Sequence, residues 1–179
     1  MTLAIAQLGQ PTLRQATRDV PTDEISTPAF QQFLQDMRET LRTQKGAGLA
    51  APQVFDRRRL FLAAILPPLE PEGDPEVETF INPRLLGASE EQAEAWEGCL
   101  SFPELLVLVP RQCAVRIEYW NAQGEWCVAD LVDFAARVVQ HEHDHLEGIL
   151  TVDRAKSSRH IIKGSEIDAF LGKEKEQPE

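Results

Sequence analysis

The stretch Gln140-His141-Glu142-His143-Asp144-His145-Leu146-Glu147-Gly148 contains the pattern His-Glu-x-x-His. On a helix, residues four apart lie on one face, so His141 and His145 can point their imidazoles at one metal ion. Glu142 sits beside that face and can reach a water held at the metal. This is a layout for metal-assisted hydrolysis. Such a site needs a third ligand, and several positions could supply one. A His three residues beyond Gly148 would complete one protease pattern, but Thr151 stands there. Glu166 is conceivable on a later helix. Cys99, well upstream, is the remaining soft donor. A Cys with two His, leaving one position open, is a catalytic coordination set for Zn²⁺ or a similar ion.

The elements around the motif must turn its His face inward. Phe134, Val138, His141 and His145 share one helical face, with Val139, Glu142 and Leu146 beside it. Asp133 can cap the start of this helix, and Gly148 is its stop. Inward imidazoles without a partner would cost desolvation free energy, which a metal relieves. Residues 114–120 and 126–132 alternate apolar and polar side chains about an Asn121-Ala122-Gln123-Gly124 turn, which predicts a β-hairpin leading into the motif helix.

Further upstream, Thr27-Pro28 reads as an N-cap followed by proline in the first turn. Phe30, Phe33, Leu34, Met37 and Leu41 then recur at helical spacing to about Gln44. Lys45-Gly46-Ala47-Gly48-Leu49-Ala50-Ala51-Pro52-Gln53 follows, with small residues suited to a tight cavity wall and an amide on Gln53 that can donate a hydrogen bond. No Gly-Lys-Ser/Thr follows the glycines, so this is not a phosphate loop. Arg57-Arg58-Arg59 reads as a solvated turn before a buried strand at 60–65. Residues 67–78 read as an exposed acidic loop, and 79–83 as a strand ending at Pro83. Cys99 follows Gly98 and by itself could be a buried structural thiol. The apolar run 105–109 fits a strand or a pocket rim. Residues 1–25 read as an irregular arm, 166–171 as a helical turn, and 172–179 as a frayed tail. Together these elements predict an α+β fold: one compact domain over residues 1–179, with antiparallel or mixed sheets packed around a central His-Glu-x-x-His helix.

The 179 residues are 42% hydrophobic and 26% charged, ordinary for a globular chain. No apolar run approaches a membrane span, and the N-terminus has neither a signal-peptide nor a transit-peptide pattern. A net charge of −11 disfavours nucleic acid and anionic lipid, so no membrane and no specific nucleic-acid partner is expected. Cys99, Cys113 and Cys127 form an odd set with no framework spacing, which favours free thiols and a cytoplasmic setting.

Three segments fall into one pattern. Gly46-Ala47-Gly48-Leu49-Ala50-Ala51-Pro52-Gln53, Glu97-Gly98-Cys99-Leu100-Ser101 and the 140–148 stretch closely resemble, in order and separation, the three signature motifs of peptide deformylases. Pro11-Thr12-Leu13-Arg14 is similar to that family's N-terminal segment, and the resemblance spans roughly residues 5–154. It implies that Cys99, His141 and His145 bind the metal and that Glu142 is the general acid/base. It also implies that Gln53 and the Leu100 backbone N–H stabilise the oxyanion, and that Gly48 binds the substrate backbone. The implied ion is Fe²⁺, with Zn²⁺ or Ni²⁺ able to occupy the site. The implied partner is the N-formylmethionyl end of a peptide or nascent chain, with formate as product. Gly46, Ala47, Val138 and Phe134 are candidates for the apolar pocket such a substrate needs. Where the family commonly has a glycine soon after Cys-Leu-Ser, this chain has Phe102-Pro103-Glu104, which bears on the entrance and not on the chemical residues.

Two rival classes are separable. A zinc endopeptidase would use His-Glu-x-x-His but leave Cys99 and Gln53 idle. A non-catalytic relative would be free to lose Glu142, which is present. The resemblance also implies transient ribosome contact, for which the basic stretch from Arg154 to Lys163 is the local reversal of charge.

Overall fold

The structure is a computed structural model that describes residues 1–66 and 76–172. Helix α1 (Pro28–Gln44) starts on Thr27, whose side chain accepts from the Phe30 N–H. It ends on left-handed Lys45, whose own N–H returns to the Leu41 and Arg42 carbonyls. Phe30, Leu34, Met37 and Leu41 are its buried stripe.

Numbered in chain order, β1 (Gly48–Ala50), β2 (Leu60–Leu66), β3 (Glu76–Ala88), β6 (Ala114–Trp120) and β7 (Trp126–Val132) form a five-stranded antiparallel sheet in the order β1-β2-β3-β6-β7. Strands β4 (Gln92–Glu97), β5 (Leu105–Gln112) and β8 (Ile161–Lys163) form a second, three-stranded antiparallel sheet. Helix α2 (Asp133–Leu146) carries the His-Glu-x-x-His motif, and the short α3 (Ile167–Phe170) follows β8. The fold is α+β, as expected.

Strand β2 explains how the layers stack. Successive side chains of a strand face opposite sides. Leu60 and Leu62 pack with the α1 stripe, whereas Phe61 and Ala63 pack with Ala136, Val139 and Leu146 of α2. The strand is buried on both faces, which is why it reads as an unbroken apolar run. On the α2 side Phe61 stacks on Phe80 at 4.8 Å between ring centroids, and Phe80 meets Tyr119 at 4.3 Å. A third cluster, including Leu13, Phe102, Val107, Val109 and Leu150, closes the small sheet.

The N-terminal arm is irregular apart from a 3-10 turn at Pro11–Arg14. It laces the layers through backbone bonds from the Ala6 N–H to the Gln53 carbonyl and from the Leu8 N–H to the Ser101 carbonyl, both 2.7 Å. Gly148 follows α2 at φ +70°, and a β-carbon there would lie 2.8 Å from the Arg14 carbonyl. Both its backbone angle and its close neighbour therefore require glycine.

Four expectations are corrected. Strand β3 does not end at Pro83 but runs to Ala88. Its pairing with β6 slips between Ile81 and Arg84, with Asn82 at φ 50°, and Pro83 falls in that irregularity, where it costs no ladder bond. Residues 76–78 belong to the same strand, while the rest of the expected acidic loop lies outside the described residues, as does nearly all of the expected frayed tail. Asp133 does not cap α2: Val132 holds the cap position without a side-chain bond, and Asp133 itself takes φ 50° as the chain turns out of β7. Finally, Arg58 and Arg59 are not a solvated turn. Arg58 lies 5.0 and 4.3 Å over the rings of Phe30 and Phe33 and pairs with Glu24 and Asp56, and Arg59 pairs with Glu147. Planar guanidinium groups suit such stacked, forked contacts.

Candidate active site

Strand β1 pairs Gly48 with Ala63 and delivers the chain into a 3-10 turn, Ala51–Val54. In that turn Oε1 of Gln53 accepts the Ala50 N–H at 2.8 Å. This fixes the amide the other way round, so Nε2 donates to Ser101 Oγ at 3.2 Å and lies 3.5 Å from Cys99 Sγ. Cys99 follows β4, with Ser101 buried beside it.

Helix α2 brings in the histidines. Cys99 Sγ is 3.4 Å from His145 Nε2, and one donor atom from each of Cys99, His141 and His145 lies within 4.8 Å of the others. The far side of His141 is tied down: Nδ1 is 2.9 Å from Glu97 Oε2. A carboxylate on the outer ring nitrogen leaves the inner one for a ligand and sets the ring's orientation. Glu97 in turn receives Arg111 on both oxygens at 3.0 Å and Arg137 at 2.7 Å. Arg111 also bonds Asp144, which receives Arg154 as well.

These contacts set the ionisation of the site. Burial would raise the Glu97 carboxyl, but hydrogen bonds to His141 and Arg111 outweigh it and hold the group at about 2. Burial disfavours charge on His141, yet its bonds to Cys99 and Glu97 raise it to about 10. Burial, then the charge of His141, lowers His145 well below its ordinary value. Burial pushes Glu142 up to about 7, against the opposing charges of His141 and Arg111.

A cation fits these residues. One thiol and two imidazoles converge, which is a donor set of a catalytic site that keeps one position open. Next to them Oε2 of Glu142 is buried with no hydrogen-bond partner among the described residues. A buried polar atom without a partner is costly and asks for a ligand or water.

A cavity of about 400 Å³ opens over this cluster. Gly46, Ala47, Gly48, Gln53, Cys99, Leu100, Val138, His141 and Glu142 all line it, as does Phe134. His145 lies beneath, 1% exposed. His143 points away, with Nε2 3.2 Å from Arg59. Glu166 is exposed and bonded by Ser165, apart from the ligand cluster.

The sequence profile of the family described as polypeptide deformylase matches residues 2–160. The chain belongs to the peptide deformylase family. Peptide deformylase 2 of a Nostoc species is 41% identical over 96% of each chain. The peptide deformylase of Pseudothermotoga lettingae is 40% identical, over 89% of this chain and 86% of that one. Among solved structures, the class I type b peptide deformylase of Acinetobacter baumannii with Met-Ala-Ser bound is 34% identical and superposes with a TM-score of 0.79, covering 86% of this chain and 98% of that one. The Thermotoga maritima peptide deformylase gives 36% identity and a TM-score of 0.77 over 88% and 99% of the two chains.

Against the deformylase motifs, the residues that sequence reasoning missed are Glu97, Arg111 and Arg137 as a connected group, and Trp96 on the cavity wall; Leu105 and Leu106, read as a strand or a pocket rim, are both. One signal was available for Arg137. It lies one helical turn before His141, so both face the same way and both reach Glu97.

Proposed function

We propose that this chain hydrolyses the formyl group from N-formylmethionyl peptides, releasing formate and a free amine. One observation carries the reading: the buried, unpartnered Oε2 of Glu142 stands beside the Cys99, His141 and His145 cluster, and the oriented Nε2 of Gln53 lies on the Cys99 side of the same cavity. Cys99, His141 and His145 would hold one divalent ion, with Fe²⁺ as the native metal and Zn²⁺ or Ni²⁺ as substitutes. A thiol with two imidazoles suits each of these ions. When bound, the ion supplies Lewis acidity to the attacking water and the formyl carbonyl.

The protein's own groups do the rest. Glu142 takes a proton from the attacking water and passes it to the departing nitrogen. A carboxyl raised to about 7 is matched to both tasks near neutral pH. Nε2 of Gln53 and the Leu100 N–H donate to the oxygen that gains charge on the formyl carbon. Gly48 offers backbone to the peptide, and Gly46, Ala47 and Val138 give the wall for the methionine side chain. Met-Ala-Ser, bound to the A. baumannii relative, is what remains when formate leaves formyl-Met-Ala-Ser.

The test is formate release from formyl-Met-Ala-Ser by anaerobically prepared protein whose metal has been assayed. Formate with the Met-Ala bond intact is the expected outcome. Cleavage of the internal bond would turn the reading to an endopeptidase, and binding without turnover to a non-catalytic relative. Equal activity and air stability in a zinc-loaded sample would overturn iron as the native ion, because ferrous iron and its thiolate both oxidise.

The setting proposed is the cytoplasm, on nascent chains. Among the described residues no helix is long and apolar enough to cross a membrane. Ribosome contact through residues 154–163 belongs to the same proposal, although Arg154, Lys156 and Lys163 pair with Asp144, Glu94 and Glu104, which limits the charge presented. Unchanged ribosome co-sedimentation after neutralising Lys156, Arg159 and Lys163 would remove it.

A further inference from the structure

The two donors proposed for the oxyanion stand on segments far apart in the chain, Gln53 in the 3-10 turn after β1 and Leu100 in the turn after β4. Such donors work best when their spacing is set in advance, because the charge they meet develops only in the transition state. Inside the site one bond joins the two segments, from Gln53 Nε2 to Ser101 Oγ at 3.2 Å. Behind it, three consecutive residues of the N-terminal arm join them again. The Ala6 N–H donates to the Gln53 carbonyl and the Leu8 N–H to the Ser101 carbonyl, both at 2.7 Å. Between them Gln7 Nε2 donates to the Leu100 carbonyl at 3.4 Å. Thr12 Oγ1 adds a bond to the Pro52 carbonyl, also at 3.4 Å. The arm is itself anchored. Ala6 and Leu13 are buried in the cluster that holds Phe102, whose N–H closes the Cys99–Phe102 turn on the Cys99 carbonyl at 3.1 Å.

We propose that residues 6–8 are a positioning strap, which fixes the placement of the Gln53 amide against the Leu100 N–H and so preorganises the oxyanion site. The inference rests on the deformylase reading and adds to it residues outside the three signature segments. Ala6, Gln7 and Leu8 do not line the cavity, so they act through the residues they hold. Gln7 to Gln10 form a β-turn, closed by the Gln10 N–H on the Gln7 carbonyl at 2.9 Å, with Gly9 in third place at φ +104°. That is a type II turn, whose second position accepts proline. Leu8 holds that position and is 46% exposed. Leu8→Pro therefore keeps the turn and removes the N–H that holds Ser101. Leu8→Ala shortens the same side chain and keeps the N–H, so the two variants are compared with each other.

The experiment measures formate release from formyl-Met-Ala-Ser by the metal-loaded parent and both variants. The expected kcat of Leu8→Pro is about tenfold below that of Leu8→Ala at equal KM, a part of the roughly 10²- to 10³-fold that losing one oxyanion donor outright costs. A fall in kcat and kcat/KM alike marks an interaction made only in the transition state. Metal content and affinity for Met-Ala-Ser should match in the two variants. Amide hydrogen exchange should be faster at residues 99–102 in Leu8→Pro, with α2 unchanged. Equal kcat in the two variants would overturn the strap. So would a loss carried by KM or by missing metal, which is a general loosening of the site. Should Leu8→Pro not fold, Gln7→Leu, at an exposed position, decides the matter. A kcat about threefold below the parent at constant KM, the scale of one modest hydrogen bond, supports the strap, and an unchanged kcat overturns it. Absence of formate from the parent would overturn the deformylase reading itself, and the strap with it.

Discussion

A methyl group on Gly48 would lie 2.6 Å from both Cγ and Cδ of Glu142, and closer still to Oε1. No side chain on Gly48 is compatible with Glu142 where it stands. The second glycine of the Gly-Ala-Gly segment therefore makes room for the carboxylate proposed as general base. Gly48→Ala should lower kcat/KM about a hundredfold, the scale of a displacement of about 1 Å in a catalytic group. Steady-state formate release checks this, and a variant within twofold of the parent would show that Glu142 can shift without consequence.

Glu142→Gln and Cys99→Ser should fail in different ways. The first removes the proposed proton carrier and leaves the proposed ligands, so metal content should stay and turnover should drop about 10²- to 10⁴-fold. The second removes a proposed ligand, so metal should be lost on dialysis, and with it any rise in thermal midpoint that metal binding gives. Metal analysis beside formate release distinguishes them. Near-normal turnover in Glu142→Gln would refute its role.

Glu97 should make the protein acid-sensitive. Its carboxyl is held at about 2 in the fold against an ordinary 4.5. A depressed carboxyl contributes stability that is present above about 4.5 and is lost as pH falls toward 2. The full contribution is on the order of 3 kcal/mol. Denaturant unfolding of the parent should weaken steeply between about pH 4.5 and 2. Glu97→Gln should be less stable at neutral pH and show a flatter acid limb. Parallel acid limbs for the two proteins would assign the sensitivity elsewhere.

Arg111 is buried between two carboxylates, Glu97 and Asp144, with its side chain 5% exposed. Replacing it with Met leaves both acids in the interior with fewer donors. Arg111→Met should cost about 3–5 kcal/mol in equilibrium unfolding, the usual result of breaking a buried pair by removing one partner. A loss below about 1 kcal/mol would mean that Arg137 and Arg154 suffice.

Much of the framework was written in local pattern. Helix α1, the β6–β7 hairpin and the motif helix follow from apolar spacing, a Thr-Pro start and turn residues, because those signals act over a few neighbours. The signature residues were legible for the same reason, except that no local rule joins Cys99 to His141. That pairing rested on setting Thr151 and Glu166 against Cys99 as third ligands, and on the resemblance. What stayed hidden was the choice of distant partners. Arg58, Arg59, Arg111 and Arg137 look alike as isolated cations, and each meets a carboxylate or carbonyl from another segment. The run of β3 past Pro83 was hidden too, because a slip in register depends on the neighbouring strand.

Strand β2 has a consequence for synthesis. Its Leu60 and Leu62 face is covered by α1, which precedes it, but its Phe61 and Ala63 face waits for α2, at residues 133–146. A chain made from its N-terminus at about 5–20 residues per second can thus hide only half of this strand until most of the molecule has left the ribosome. The same late helix carries His141, Glu142 and His145, so closing the interior and assembling the chemistry are one event. Arrested chains ending before residue 133 should be open to protease at 60–66, and those extended past α2 should be protected.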